Sequence, residues 1–101
     1  MIIPRTVKIG AQRLRVTLMP EVELDGETCM GVSKSSIGQI EIATTHHGSI
    51  VPEDSMADTF LHEVIHVTSN TYGLELSESQ VGGLAGGLLQ VIRDNKLDFR
   101  K

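Results

Sequence analysis

Apolar residues alternate with polar ones through the first half of this chain and recur at three- and four-residue steps through the second. The stretch "TVKIG" puts Val7 and Ile9 on one side of an extended segment, and "QRLRVTLM" does the same with Leu14, Val16 and Leu18. Side chains of a strand point alternately to its two faces, so a period of two predicts strands. Gly10-Ala11 is the expected turn between them, and Pro20 ends the second strand because proline cannot donate to a ladder. "ELDGETCMGV" carries an Asp25-Gly26 turn, followed by a short strand near residues 28–32. The clearest strand is "GQIEIAT", with Ile40 and Ile42 on one face and Gln39 and Glu41 on the other. "THHGSIVPED" reads as a loop. The first half is thus expected to form a small antiparallel β-meander of about four strands.

Helix signals take over at Pro52. Pro52 and the box Ser55-x-x-Asp58 mark a start, and Gly73 is a natural stop, so a helix is expected from near Pro52 to about Thr71. A second helix begins at Ser77, where Ser77 with Gln80 has capping-box form and Leu76 with Val81 has the spacing of a hydrophobic staple. It is expected to run to about Asn95, ahead of the charged tail "KLDFRK". Phe99 in that tail is either part of an ordinary chain end or an apolar contact that docks over a cleft. Strands followed by helices predict an α+β fold.

Composition narrows the function classes. A chain of 101 residues fits one domain, 1–101. Hydrophobic residues make up 40% but aromatics only 3%, so the core must be built from Ile, Val, Leu and Met. A net charge of -4 disfavours a protein whose main task is gripping nucleic-acid phosphates. Cys29 is alone and makes no internal disulfide. Pro4 and Arg5 interrupt the apolar run a secretion signal needs, and no stretch approaches the ~20 apolar residues of a membrane span. The expectation is a cytoplasmic protein with no membrane contact.

One segment stands out chemically. "FLHEVIHVTSN" places two of the chain's four histidines and a glutamate inside an apolar run. On a helix, four residues turn through ~400°, so His62 and His66 lie on one face, one turn apart. That spacing lets two imidazoles reach one Zn2+ ion, with Glu63 beside them free to act on a water as general base. A hydrogen-bonded pair of core histidines is the bland alternative. A zinc hydrolase needs a third ligand, and Glu75 and Glu78 are the acidic residues downstream. Glu78 is preferred, because the cap at Ser77 gives it a fixed direction. Gly82 and Gly86 follow Glu78 at four-residue steps, within "VGGLAGGLL". Four glycines inside a helix cost roughly 3–4 kcal/mol against alanine, and a close approach of the second helix to the first would offset that.

These residues resemble the gluzincin class of zinc metallopeptidases. In that class an HExxH helix supplies two ligands and the base, and a glutamate on the next helix is the third ligand. The chain is similar to small phage-encoded proteins with this signature and to the single-domain minigluzincins. "ESQVGGLAGGLL" also resembles the E-x-x-A-x-x-F-A-x-x-L-L segment of ImmA/IrrE-type metallopeptidases. Glu78, Ala85, Leu88 and Leu89 match that segment, while Val81 and Leu84 replace its alanine and phenylalanine. The resemblance implies a zincin-like peptidase acting on a peptide or protein substrate, in the host cytoplasm if phage-encoded. It also implies that the strand "GQIEIAT" forms the rim that pairs with substrate. Two features depart from the class. Gly82 stands where an acidic residue often orients the first histidine, leaving Asp58 as the candidate for that task. The usual proton donor is also not evident, with Tyr72, His46 and His47 as candidates. The rival expectation is a catalytically silent interaction or assembly module of a phage or mobile element.

Overall fold

The computed structural model describes residues 3–97. β1 (Thr6–Ile9) and β2 (Gln12–Met19) form the expected antiparallel pair around Gly10, whose φ is 60°. β3 (Val22–Leu24) and β4 (Glu27–Cys29) form a hairpin. Its turn residues Asp25 and Gly26 have φ of 55° and 81°, both positive as the favoured two-residue turns of hairpins require. The strand expected near residues 28–32 is therefore broken at Met30, and β5 (Gly31–Lys34) begins beyond it. A single 3-10 turn (Ser35–Ile37) leads to β6 (Gln39–Ala43). The loop expected next contains a two-rung hairpin of β7 (Thr45–His46) and β8 (Ser49–Ile50), turning at His47 and Gly48.

The main sheet is not an antiparallel meander. Its order is β1-β2-β6-β5, and β6 runs parallel to β2, with Val16 beside Ile40 and Leu18 beside Ile42. The strand with the most apolar inner face takes an inner place: Ile40 and Ile42 are wholly buried, whereas β5 has Gly31, Ser33 and Lys34 only partly covered. β6 consequently has partners on both sides, so the edge strands of this sheet are β1 and β5 and "GQIEIAT" is not an edge.

α1 (Glu53–Tyr72) lies on the face carrying Leu14, Val16, Ile40 and Ile42, and adds Phe60 and Val67 to that core. A smaller cluster of Val22, Val32 and Ala43 seats the β3–β4 hairpin on the sheet. Pro52 occupies the N-cap of α1 and Ser55 and Asp58 lie inside the helix, so their box does not cap it. Gly73, with φ of 65°, ends α1 by donating its N–H to the Ser69 carbonyl. α2 (Glu78–Asp94) carries the expected capping box, with Gln80 N–H on the Ser77 hydroxyl at 3.1 Å and Ser77 N–H on the Gln80 side chain at 2.9 Å. Among the described residues no helix is long and apolar enough to cross a membrane. Phe99 lies outside the described residues.

Gly31 brings β5 directly onto α1. A Cβ there would sit 2.5 Å from the Thr59 methyl and 3.2 Å from the Glu41 carbonyl oxygen. Neither neighbour is the end of a flexible side chain, so the strand or the helix would have to move. Gly31→Ala is expected to lower Tm by roughly 5–15 °C, and Thr59→Ser, which deletes the opposing methyl, to recover most of that loss. A Gly31→Ala protein that melts with the wild type would show that the approach is not tight.

Candidate metal centre

His62 and His66 project from α1 toward the start of α2, with ring centroids 4.8 Å apart and nearly edge to face. Val81, Ala85 and Leu89, the buried residues of α2, seat it beside α1, and Glu78 shares their side of the helix. The connection is short and anchored. Ser69 is buried on α1, and its hydroxyl accepts the Leu76 N–H at 3.0 Å. The chain therefore arrives at the Ser77 cap in a set direction, and Glu78 is the first helical residue beyond it.

Three side chains converge as a result. Nε2 of His62 lies 2.6 Å from Oε1 of Glu78, Nε2 of His66 lies 2.9 Å from Oε2, and the two nitrogens are 3.1 Å apart. Their ligand atoms all fall within 4.8 Å of one another, and among the described residues this is the one group of His, Cys, Asp or Glu able to hold a metal ion. The donor set fits Zn2+. Two nitrogens bound tetrahedrally at about 2.05 Å would stand about 3.3 Å apart, close to the spacing here. With both Nε2 atoms protonated, each donates to one oxygen of Glu78, but the two N–H groups then stand 3.1 Å apart. A shared cation would remove that crowding. The Glu78 carboxylate is 73% exposed, so an ion reaches it from solvent.

Electrostatics separate the two glutamates. Burial pushes the Glu63 carboxyl up from its ordinary value, against the Ser33 hydroxyl and the charges of His66 and His62, which pull it down. Desolvation also pushes Glu78 upward, but hydrogen bonding from His62 and the nearby charges of His66 and His62 outweigh it and leave the carboxyl below its ordinary value. One carboxylate thus favours its anionic form, and the other is a buried group beside the two histidines.

Two cavities meet at this centre. One, of about 430 Å3, is lined by Gly31, Asp58, Thr59, His62, Glu63 and Glu78. The other, of about 310 Å3, is lined by Leu24, Ser33, Glu63, His66, Asn70 and Glu78. No protein-family model, curated protein or solved structure matches this chain.

The structure brings His62, Glu63, His66 and Glu78 together and leaves the other candidates apart. Glu75 is exposed in the connection, with φ of 55°. Tyr72 is 60% exposed and lies against Gly10 at the β1–β2 turn. The His46 and His47 rings lie against each other, tilted by 55° with centroids 4.0 Å apart, and among the described residues Nδ1 of His46 is buried without a hydrogen-bond partner. None of Tyr72, His46 and His47 lines either cavity. Asp58 lines the larger one, but among the described residues it makes no hydrogen bond to His62. Sequence reasoning missed Gly31, Ser33 and Ser69. Only Gly31, a glycine inside the strand expected near residues 28–32, left a visible signal.

Protein purified without chelator is expected to hold about one zinc per chain by elemental analysis, and its Tm to rise with added zinc. Glu78→Ala should weaken zinc binding by well over 100-fold, more than the roughly 10–100-fold typical of losing a residue behind a ligand. Glu75→Ala should leave binding unchanged. Equal affinities for the two variants would remove Glu78 from the ligand set.

Proposed function

We propose that this chain is a zinc-dependent peptidase of zincin-like, gluzincin type, with His62, His66 and Glu78 as ligands and Glu63 as general base. The observation that carries this reading is the convergence of two Nε2 atoms and one carboxylate on a single point, beside a buried Glu63 that belongs to neither pair contact. Zinc bound there would acidify a water and polarise a carbonyl. The chain's own residues supply the rest. Glu63 takes a proton from the attacking water and passes it to the departing amine. The free edge of β5 runs beside the centre, and Gly31 and Ser33 on it line the two cavities. An extended peptide pairing with that edge would use backbone hydrogen bonds, with side chains falling alternately toward and away from the cleft. Gly31 and Ser33 are small, so the edge stays open where such a peptide would cross Glu63.

Glu63→Gln preserves shape and removes proton transfer. It is expected to retain zinc and Tm while losing roughly 10²–10⁴ in hydrolysis rate on unfolded protein or a pooled peptide library. Product termini read by mass spectrometry report the cleavage. A variant that cuts as fast as wild type would rule out Glu63 as the base. A zinc-loaded wild type that cuts nothing in a broad library would instead favour the silent interaction module.

A further inference from the structure

Charge is segregated along this chain. Residues 3–20 contain Arg5, Lys8, Arg13 and Arg15 and no acid, whereas residues 21–33 contain Glu21, Glu23, Asp25 and Glu27 and no base. All eight are exposed. Among the described residues none of them forms an ion pair, although Lys34 pairs with Glu41 at 3.1 Å and Arg93 with Asp54 at 3.3 Å.

The cations are gathered on one surface. Leu14 and Val16 face the core, so Arg13 and Arg15 project from the opposite face of the sheet, away from α1. Lys8 stands directly opposite Arg13 in the β1–β2 register, an arrangement of like charges that destabilises a strand pair. Arg15 lies opposite Thr6 on one side and Gln39 on the other. Arg13 and Arg15 line a shallow groove with Ile37 and Gln39, and Arg15 with Arg5 lines the next. The acids belong to a different element, the β3–β4 hairpin and the residue before it, with Asp25 at the tip. Buried Val22 holds that hairpin at its base.

We propose that the basic face of the β1–β2 ribbon docks the acidic β3–β4 hairpin of a second copy of this chain. The two elements are opposite in sign and equal in number of charges, and the acids flank the hairpin on both faces, Glu23 opposite Thr28 on one and Glu27 opposite Leu24 on the other. Guanidinium forks suit carboxylates, which they can hold through paired hydrogen bonds. A nucleic-acid strand fits less well, because residues 3–34 include no aromatic side chain on which a base could stack. Carboxylates from a partner would also neutralise the Lys8–Arg13 repulsion, for which no ion pair is present among the described residues. Each copy offers both a face and a hairpin. Two copies that exchange hairpins about a two-fold axis close the assembly, and otherwise the contact repeats into a ring or a filament.

Light scattering on the full chain tests this contact. The wild type is expected to exceed monomer mass at an ionic strength of about 0.01 M and to return to monomer at about 1 M, where screening shortens to a few ångströms. Arg13→Glu/Arg15→Glu and Glu23→Lys/Glu27→Lys should each be monomeric at low salt, with melting curves confirming that both fold. Mixed in equal amounts they should associate, because the reversed face meets the reversed hairpin and the intact hairpin meets the intact face. A wild type that is monomeric at low salt overturns the proposal, including one that binds DNA instead. Undiminished association of either reversed variant, or a monomeric mixture, also overturns it.

Discussion

Helix α2 rests on α1 through Val81, Ala85 and Leu89, and the register of that contact decides where Glu78 arrives. A slip of one residue rotates a helix by about 100°, which would carry the carboxylate off the histidine face altogether. Burying these three side chains contributes on the order of 4–6 kcal/mol before the entropy of ordering them is counted, which is comparable to the net stability of a small domain. The geometry of the centre and the seating of α2 are therefore one problem. The Ser69 anchor and the Ser77 cap solve its other half by limiting how the chain can enter the helix.

Under the same helix, the sheet sets the surroundings of Glu63. A glycine at position 31 lets β5 press against α1, and Glu63 is left only 7% exposed. A carboxylate so enclosed is costly for stability unless it is paired or hydrogen-bonded. The Ser33 hydroxyl and the two imidazoles only partly compensate, since burial still dominates. Local rules of sequence and structure are most often broken where a protein has a task to perform, and Glu63 fits that pattern.

Much of this was legible in the sequence, for reasons that are local. β1, β2 and β6 were readable because a period of two reports which residues face inward. The ends of both helices were readable because Gly73 and the Ser77–Gln80 box act over three or four residues. The His62–His66 pair followed from helical spacing, and Glu78 from its place beside the cap. Pairing was not readable, because alternation does not say which strand lies next to which. The glycines of α2 were expected to bring the helices unusually close, and that expectation fails. A Cβ on Gly82 would come no nearer than 4.0 Å to His62, and Gly83, Gly86 and Gly87 have nothing within 4 Å. Nothing in the structure explains those three. The close approach occurs instead at Gly31, between elements far apart in sequence.

The parallel pairing of β2 with β6 has a consequence for how the chain folds. The β3–β4 and β7–β8 hairpins and both helices can form from near neighbours, but joining Val16 to Ile40 requires the intervening chain to loop back first. Of the pairings in the main sheet this one spans the most chain and so carries the largest loop-closure entropy, and α1 has no complete surface to settle on until it is done. The two histidines and Glu78 can come together only after both helices have docked. Any ion held by that group would be captured by a nearly finished molecule, and would act as a latch on the native state more than as a template for reaching it.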